Sequence, residues 1–407
     1  MSTEQNARVA RLADTARATG RLALDTEFMG EGRYRTLLCL IQLAIPAADG
    51  SRGEPAPGEL VEIADPLDEE FDGAALASVL ADPAVQIVVH AGRQDIALMR
   101  RALATEVSNV FDTQVAAGFA DLGAQSSYDS LLGEVLDVRL AKGASFTRWD
   151  ARPLSAEQLR YAREDVEHLL ELAGELERRL AALGRLEWAR EECRPLEQSS
   201  DEREPEAIYA RLPRVRNLGP SSRPIARELV LWREQTAARR DRPVQSVLSD
   251  VALVEIAKRR PTSSGDLAKI RGAGSVASGR AANEVLEAVK RGRDRPPEEM
   301  SHEQRPPSAR PEDAPLIPLA EALLRARARE AGLAYELLAT RSDLQAIVAS
   351  HSAGEQADVR TLRGWRRELV GDELLALLDG RVSLSVAPVS ERRAPGAARL
   401  RVEPIEE

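Results

Sequence analysis

The chain has 407 residues, a net charge of −10, two cysteines and four histidines, which favours two or three domains and excludes a disulfide framework. Cys39 lies in an apolar run, Cys193 in a charged helical stretch, and the histidines are scattered singly, so a zinc cluster is not suggested either. The first 20 residues hold no apolar core for a signal peptide, and no stretch approaches the roughly 18 apolar residues of a membrane helix; a cytoplasmic location without a membrane partner is expected.

Hydrophobic periodicity places strands at 21–28, 37–45 and 60–64, with a Gly-, Pro- and Ala-rich loop at 46–58 between the last two. A helix near 73–81, a strand at 85–90, a helix at 93–104 and a short strand at 109–112 follow, then largely helical sequence to about 195. Three strands before the first long helix, followed by alternation, fit a mixed sheet flanked by helices. Residues 196–206, dense in Glu, Ser, Asp and Arg, read as a hinge or linker.

Four carboxylates stand out along this stretch. Asp25 and Glu27 lie two apart at the end of an apolar strand, so both point to one face. Like charges there are unfavourable unless neutralised, and a hard divalent cation with oxygen ligands is the usual answer. An isolated Asp-x-Glu is more often a solvated strand end. Here Asp95 follows the strand-to-helix passage at His90-Ala91-Gly92. Asp165 follows Tyr161 by one helical turn, on the same face of a helix expected to run on through Leu176. A tyrosine and a carboxylate on one face suit a metal and an oriented water.

Beyond residue 205 the pattern is all-helical. Residues 211–293 carry 18 Lys and Arg against 8 Asp and Glu, a local charge of +10 that leaves −20 on the rest. A basic segment that includes Arg239-Arg240, Lys258-Arg259-Arg260 and Lys269-Ile270-Arg271 is suited to backbone phosphates, although basic helix faces are often merely solvated. Residues 294–315 read as a linker, 316–385 as a second helical unit with Trp365 as a packing residue, and 386–407 as a disordered tail.

The order of these pieces resembles the ribonuclease D family, of the DEDDy-type 3'-to-5' exonuclease superfamily. Asp25-Thr26-Glu27-Phe28, Tyr34 and Leu38-Cys39-Leu40-Ile41-Gln42-Leu43 resemble its first motif and second strand. His90-Ala91-Gly92-Arg93-Gln94-Asp95 resembles the second motif, and Phe111-Asp112-Thr113-Gln114 the strand and helix start after it. Lys142-Gly143, Trp149 and Arg152-Pro153-Leu154-Ser155 lead into Tyr161-Ala162-Arg163-Glu164-Asp165. Residues 211–293 resemble a helicase-and-RNase-D C-terminal (HRDC) domain, and 316–385 a second one. Arg148 departs from the pattern, standing where the family usually has an acid.

The resemblance implies an α/β ribonuclease H-like exonuclease domain over residues 1–205, followed by two all-α HRDC-type domains. It implies a monomeric 3'-to-5' exoribonuclease that releases nucleoside 5'-monophosphates from tRNA precursors and other structured RNAs, using two divalent ions, Mg2+ or Mn2+. Asp25 would bridge the ions, Glu27 and Asp165 would complete the site for the one that activates water, Asp95 would support the other directly or through water, and Tyr161 would orient and help deprotonate the attacking water. Trp149 and Arg152 are either nucleic-acid contacts or structural anchors. Gln42 is expected as a buried hydrogen-bonding residue, and His90 as packing rather than a ligand. A DNA exonuclease with the same quartet, or an RNA-holding scaffold with a vestigial site, are the alternatives.

Overall fold

A computed structural model describes residues 2–46, 59–140, 148–299, 310–388 and 400–405; the Lys142-Gly143 piece lies outside them. Five strands form one sheet: β1 (Arg21–Met29), β2 (Leu37–Pro46), β3 (Glu59–Ala64), β4 (Gln86–Val89) and β5 (Val110–Asp112). Their order is β3-β2-β1-β4-β5. The β1–β2 and β2–β3 pairs are antiparallel, and the β1–β4 and β4–β5 pairs parallel. The central strands are apolar on both faces because helices cover both.

On one face lie α1 (Ser2–Thr19), α2 (Ala74–Leu80) and α3 (Arg93–Ala102). Their Val9, Leu12, Leu76, Ile96 and Met99 pack on Leu22, Leu24, Ile41, Leu43 and Ile87. The other face meets α4 (Thr113–Phe119), α5 (Tyr128–Leu131), α6 (Ala156–Glu164), α7 (Leu169–Ala182) and α8 (Leu186–Cys193). There Phe119, Leu169, Leu172 and Leu176 cover Ala23, Ala44 and Val88. This is the mixed sheet flanked by helices.

Three expectations need correction. The single helix through Asp165 is two, since residues 165–168 form turns and α7 starts at Leu169. The segment 196–206 is tied down rather than a free hinge: Asp201 pairs with Arg101 at 3.0 Å, and Arg203 with Glu234 at 2.7 Å. The tail is not wholly disordered, because β7 (Leu400–Pro404) pairs antiparallel with β6 (Val382–Val386). Val402, between Arg401 and Glu403, supplies the alternation that such a strand uses.

The basic segment folds as α9 (Pro205–Arg211), α10 (Arg223–Arg240), α11 (Val244–Val247), α12 (Asp250–Arg259), α13 (Ser264–Ala268) and α14 (Gly279–Arg293). It has its own apolar core, which includes Tyr209, Leu229, Leu253, Leu267 and Val285. One of its arginines is structural: Arg233 is 1 % exposed and donates to Asp250 at 2.6 Å and to the Leu248 carbonyl at 3.1 Å.

The C-terminal unit comprises α15 (Leu316–Glu330), α16 (Tyr335–Leu338), α17 (Arg341–Ser352), α18 (Gly364–Arg366) and α19 (Asp372–Leu378), with the β6–β7 hairpin. Its apolar residues are continuous with the exonuclease domain, so that Leu323, Leu337 and Trp365 share one core with Phe119 and Leu176. Trp365 stacks on Trp188 at 5.0 Å between ring centroids and meets Phe119 edge-on at 5.2 Å. It is a packing residue.

Candidate active site

The site assembles from three chain segments around the second half of β1, the central strand of the sheet. On β1, Asp25 pairs across β2 with Gln42 and Glu27 with Leu40, on the face that α6 and α7 cover. A bulge follows, since Phe28 pairs with Leu38 and leaves Cys39 as the extra residue on β2.

Asp95 comes from the first turn of α3 and is 7 % exposed. A helix N-terminus favours a negative charge there. Thr26, on the face of β1 opposite to its two acidic neighbours, donates its hydroxyl to Asp95 Oδ1 at 2.5 Å. The corner before α3 is tight. Ala91 has φ +53°, and a Cβ on Gly92 would lie 2.5 Å from the Val89 Cβ. Asp112 fixes this corner, accepting from the backbone N–H groups of Ala91 (3.0 Å) and Gly92 (2.9 Å) while also capping α4 through Gln114 N–H at 2.8 Å.

The third segment is α6. A capping box starts it: Ser155 Oγ accepts from Gln158 N–H at 3.1 Å, and Ser155 N–H donates to Gln158 Oε1 at 2.9 Å. Two turns later the helix presents Tyr161, whose carbonyl accepts from Asp165 N–H at 3.2 Å. The Tyr161 ring lies 6.1 Å from that of Trp149.

All five residues chosen from the sequence interact electrostatically in one place. Burial, then Asp95, Asp165 and Glu27, push the Asp25 carboxyl well above its usual range. Burial with Asp165 and Asp95 raises Glu27 to about 8, and burial with Glu164 raises Asp165 to about 7. Asp95 is also raised by burial, against the opposing hydrogen bond from Thr26. Burial, Asp165, Glu27 and Asp25 push the Tyr161 hydroxyl up to about 12.

Buried carboxylates that repel one another are an oxygen donor set suited to a hard cation. Among the described residues no group of three or more His, Cys, Asp or Glu side chains is arranged so that it could by itself hold a metal ion. Mg2+ does not require one, because it keeps several waters and binds through one or two carboxylates plus substrate phosphates.

The neighbouring residues sort themselves. Arg152 is an anchor: it forks onto Asp65 at 2.5 and 2.7 Å and donates to the carbonyls of Cys39 (2.8 Å) and Trp149 (2.7 Å). Trp149 is buried beside it. His90 packs at the end of β4, its Nδ1 2.9 Å from Thr113 Oγ1, and burial lowers its pKa. Arg148 is exposed and pairs with Asp150 at 2.9 Å. Gln42 is fully buried, but against expectation neither amide atom has a hydrogen-bond partner among the described residues.

Thr26 and Asp112 gained no role from the sequence. An Asp at a strand-to-helix junction is a capping signal that could have found Asp112. Nothing local marks Thr26, whose partner is 69 residues away.

Comparisons with known proteins agree with this geometry. Residues 2–181 match a family model described as 3'-5' exonuclease, and residues 222–289 match the HRDC domain. Ribonuclease D of Granulibacter bethesdensis is 35 % identical over 386 residues, which cover 93 % of this chain and 92 % of that protein. Ribonuclease D of Gluconacetobacter diazotrophicus is 35 % identical over 380 residues, 92 % of this chain and 91 % of its own. The crystal structure of Escherichia coli RNase D, described as an exoribonuclease involved in structured RNA processing, superposes with a TM-score of 0.75 at 26 % identity, covering 92 % of this chain and 97 % of that one.

Proposed function

The chain belongs to the ribonuclease D family, and from that premise we propose a metal-dependent 3'-to-5' exoribonuclease that releases nucleoside 5'-monophosphates from the 3' ends of tRNA precursors and other small structured RNAs. The observation that carries this reading is the convergence of Asp25, Glu27, Asp95, Asp165 and Tyr161 from three segments onto one buried patch, where the neighbouring acids add to burial in raising Asp25, Glu27 and Tyr161.

Asp25, Glu27 and Asp165 would hold one divalent ion, and Asp25 with Asp95 a second, Mg2+ or Mn2+. Bound there, such ions neutralise the cluster, acidify water and stabilise both the attacking and the leaving oxygen of the displacement. The protein's own groups do the positioning. Thr26 restrains the Asp95 carboxylate, and the Tyr161 hydroxyl, at about 12, stays protonated at neutral pH and orients a water by hydrogen bonding.

The basic helical domain would grip RNA phosphates with exposed residues such as Arg240, Arg242, Lys258, Arg260 and Arg271. The C-terminal unit reads as a second HRDC-like domain. Its support is a shared succession: long helix (α10, α15), one-turn helix (α11, α16), extended residue (Leu248, Ala339), then a side-chain-capped helix (α12 by Ser249, α17 by Thr340). Among the described residues no helix is long and apolar enough to cross a membrane; a monomer working in the cytoplasm completes the reading.

The test is digestion of matched RNA and DNA carrying single-stranded 3' extensions, with Mg2+ or Mn2+, by the full chain and by Asp25→Asn. RNA should be shortened from its 3' end, and Asp25→Asn should lose about 10^2- to 10^3-fold in rate, the scale of one lost transition-state stabiliser, while RNA binding persists. Turnover by Asp25→Asn at the wild-type rate, or a preference for DNA, would sink the assignment.

A further inference from the structure

Gln42 sits where an apolar residue would serve packing better. It lies on β2, flanked on its own face by Leu40 and Ala44, and is 0 % exposed. Among the described residues neither its Oε1 nor its Nε2 finds a partner. A buried amide left unpaired costs about 1–3 kcal/mol, and such groups call for a specific explanation.

The register supplies one. Gln42 is the direct cross-strand partner of Asp25 in the antiparallel β1–β2 pair. Opposed residues in such a pair share a face with Cβ atoms about 4.5–5.5 Å apart, within reach of an amide and a carboxylate. Asp25 is also the residue on which the other three acids of the cluster converge. An orphaned donor therefore lies beside the most crowded acceptor of the site, with no hydrogen bond between them.

We infer that Gln42 is a positioning residue for the metal site: its amide N–H donates to the carboxylate of Asp25 when a cation engages that carboxylate, fixing its orientation. The role matches the hydrogen-bonding partners that orient metal ligands generally, whose loss typically weakens metal affinity about 10- to 100-fold. The inference rests on the metal-binding reading above. It explains the orphaned amide as a group satisfied only in the loaded state.

The test uses the full chain and two variants without the amide, Gln42→Met, close in shape, and Gln42→Leu as a second shape. Mn2+ affinity is read by isothermal titration, and melting temperature by calorimetry in EDTA and in Mn2+. Removing an unsatisfied amide should leave the melting temperature in EDTA unchanged or higher, while Mn2+ affinity falls about 10- to 100-fold and the Mn2+-induced rise shrinks. In RNA digestion, kcat should fall with KM nearly unchanged.

An amide satisfied instead by a buried water predicts the reverse, a lower melting temperature in EDTA with wild-type Mn2+ affinity. That result, or wild-type affinity in both variants, overturns the inference and leaves the metal site standing. Absence of Mn2+ binding by the wild-type chain overturns both.

Discussion

At Asp25 the cost of the site is electrostatic and local. Its carboxyl is displaced by burial and by three other acids; the same crowding, with burial, lifts Glu27 to about 8, and burial with Glu164 lifts Asp165 to about 7. A cation that binds only the folded chain stabilises it by mass action, about 2.7 kcal/mol at one hundred times Kd. Calorimetry should therefore show a melting temperature that rises with Mg2+ or Mn2+ concentration. In Asp25→Asn the rise should shrink while the cation-free melting temperature increases, because a repelling charge is gone. A cation-independent melting temperature in the wild type would contradict the site. The five candidate residues could be picked out because each sits in a local pattern: two apart on a strand, four apart at helical spacing, or at the start of a helix after His90-Ala91-Gly92. Thr26 could not, because its partner Asp95 becomes a neighbour only when α3 folds back on the sheet. Thr26→Val keeps the shape but removes the donor. It should cost about 1.5–3 kcal/mol, the range for hydrogen bonds to charged groups, measured by urea unfolding, and should slow RNA hydrolysis without weakening RNA binding.

Two elements carry site residues on short, capped geometry, and each can be perturbed without touching a carboxylate. Helix α6 starts at the Ser155–Gln158 capping box and reaches Tyr161 within two turns. Ser155→Ala should cost about 1 kcal/mol, and should lower kcat more than it changes KM for RNA, since the helix start sets where Tyr161 and Asp165 lie. Helix α3 starts at Gly92, where the obstacle to a side chain is space rather than backbone angle. Its φ is −78°, but a Cβ would press on Val89. Gly92→Ala should destabilise by about 1–3 kcal/mol, as overpacking does. In a Val89→Ala background the same change should cost less, a coupling that a double-mutant cycle reads directly. The strands were legible because their runs are apolar and bounded by turn residues. Helix α1 went unread as part of the fold because its buried stripe of Val9, Leu12, Ala13 and Ala16 is thinned by alanine. The break after Asp165 went unread because no glycine or proline marks it, and the leucine spacing continues through it.

At the scale of the molecule, the two helical regions differ in a way that composition did not reveal. The basic domain closes its own core, whereas α15–α19 complete the core beneath α4, α7 and α8. Helical spacing, from which the second helical unit was read, reports that a face is buried but not against what. The seam is specific: Trp365 stacks on Trp188, its neighbour Arg366 lies 4.5 Å over the Trp365 ring, and Glu192 of α8 pairs with both Arg366 and Arg360. Arg185 adds bonds to the carbonyls of Ala331 and Gly332. Trp365→Ala removes the central aromatic and should cost about 3–5 kcal/mol. Because cooperative units open together, hydrogen exchange in this variant should quicken in α15–α19 and also in α4, α7 and α8. Exchange in α10–α14 should stay at the wild-type rate. Equal acceleration of α10–α14 would mean that the basic domain is part of the same cooperative unit. An unchanged rate in α4 and α7 would mean that the C-terminal unit only rests on the exonuclease domain rather than completing its core.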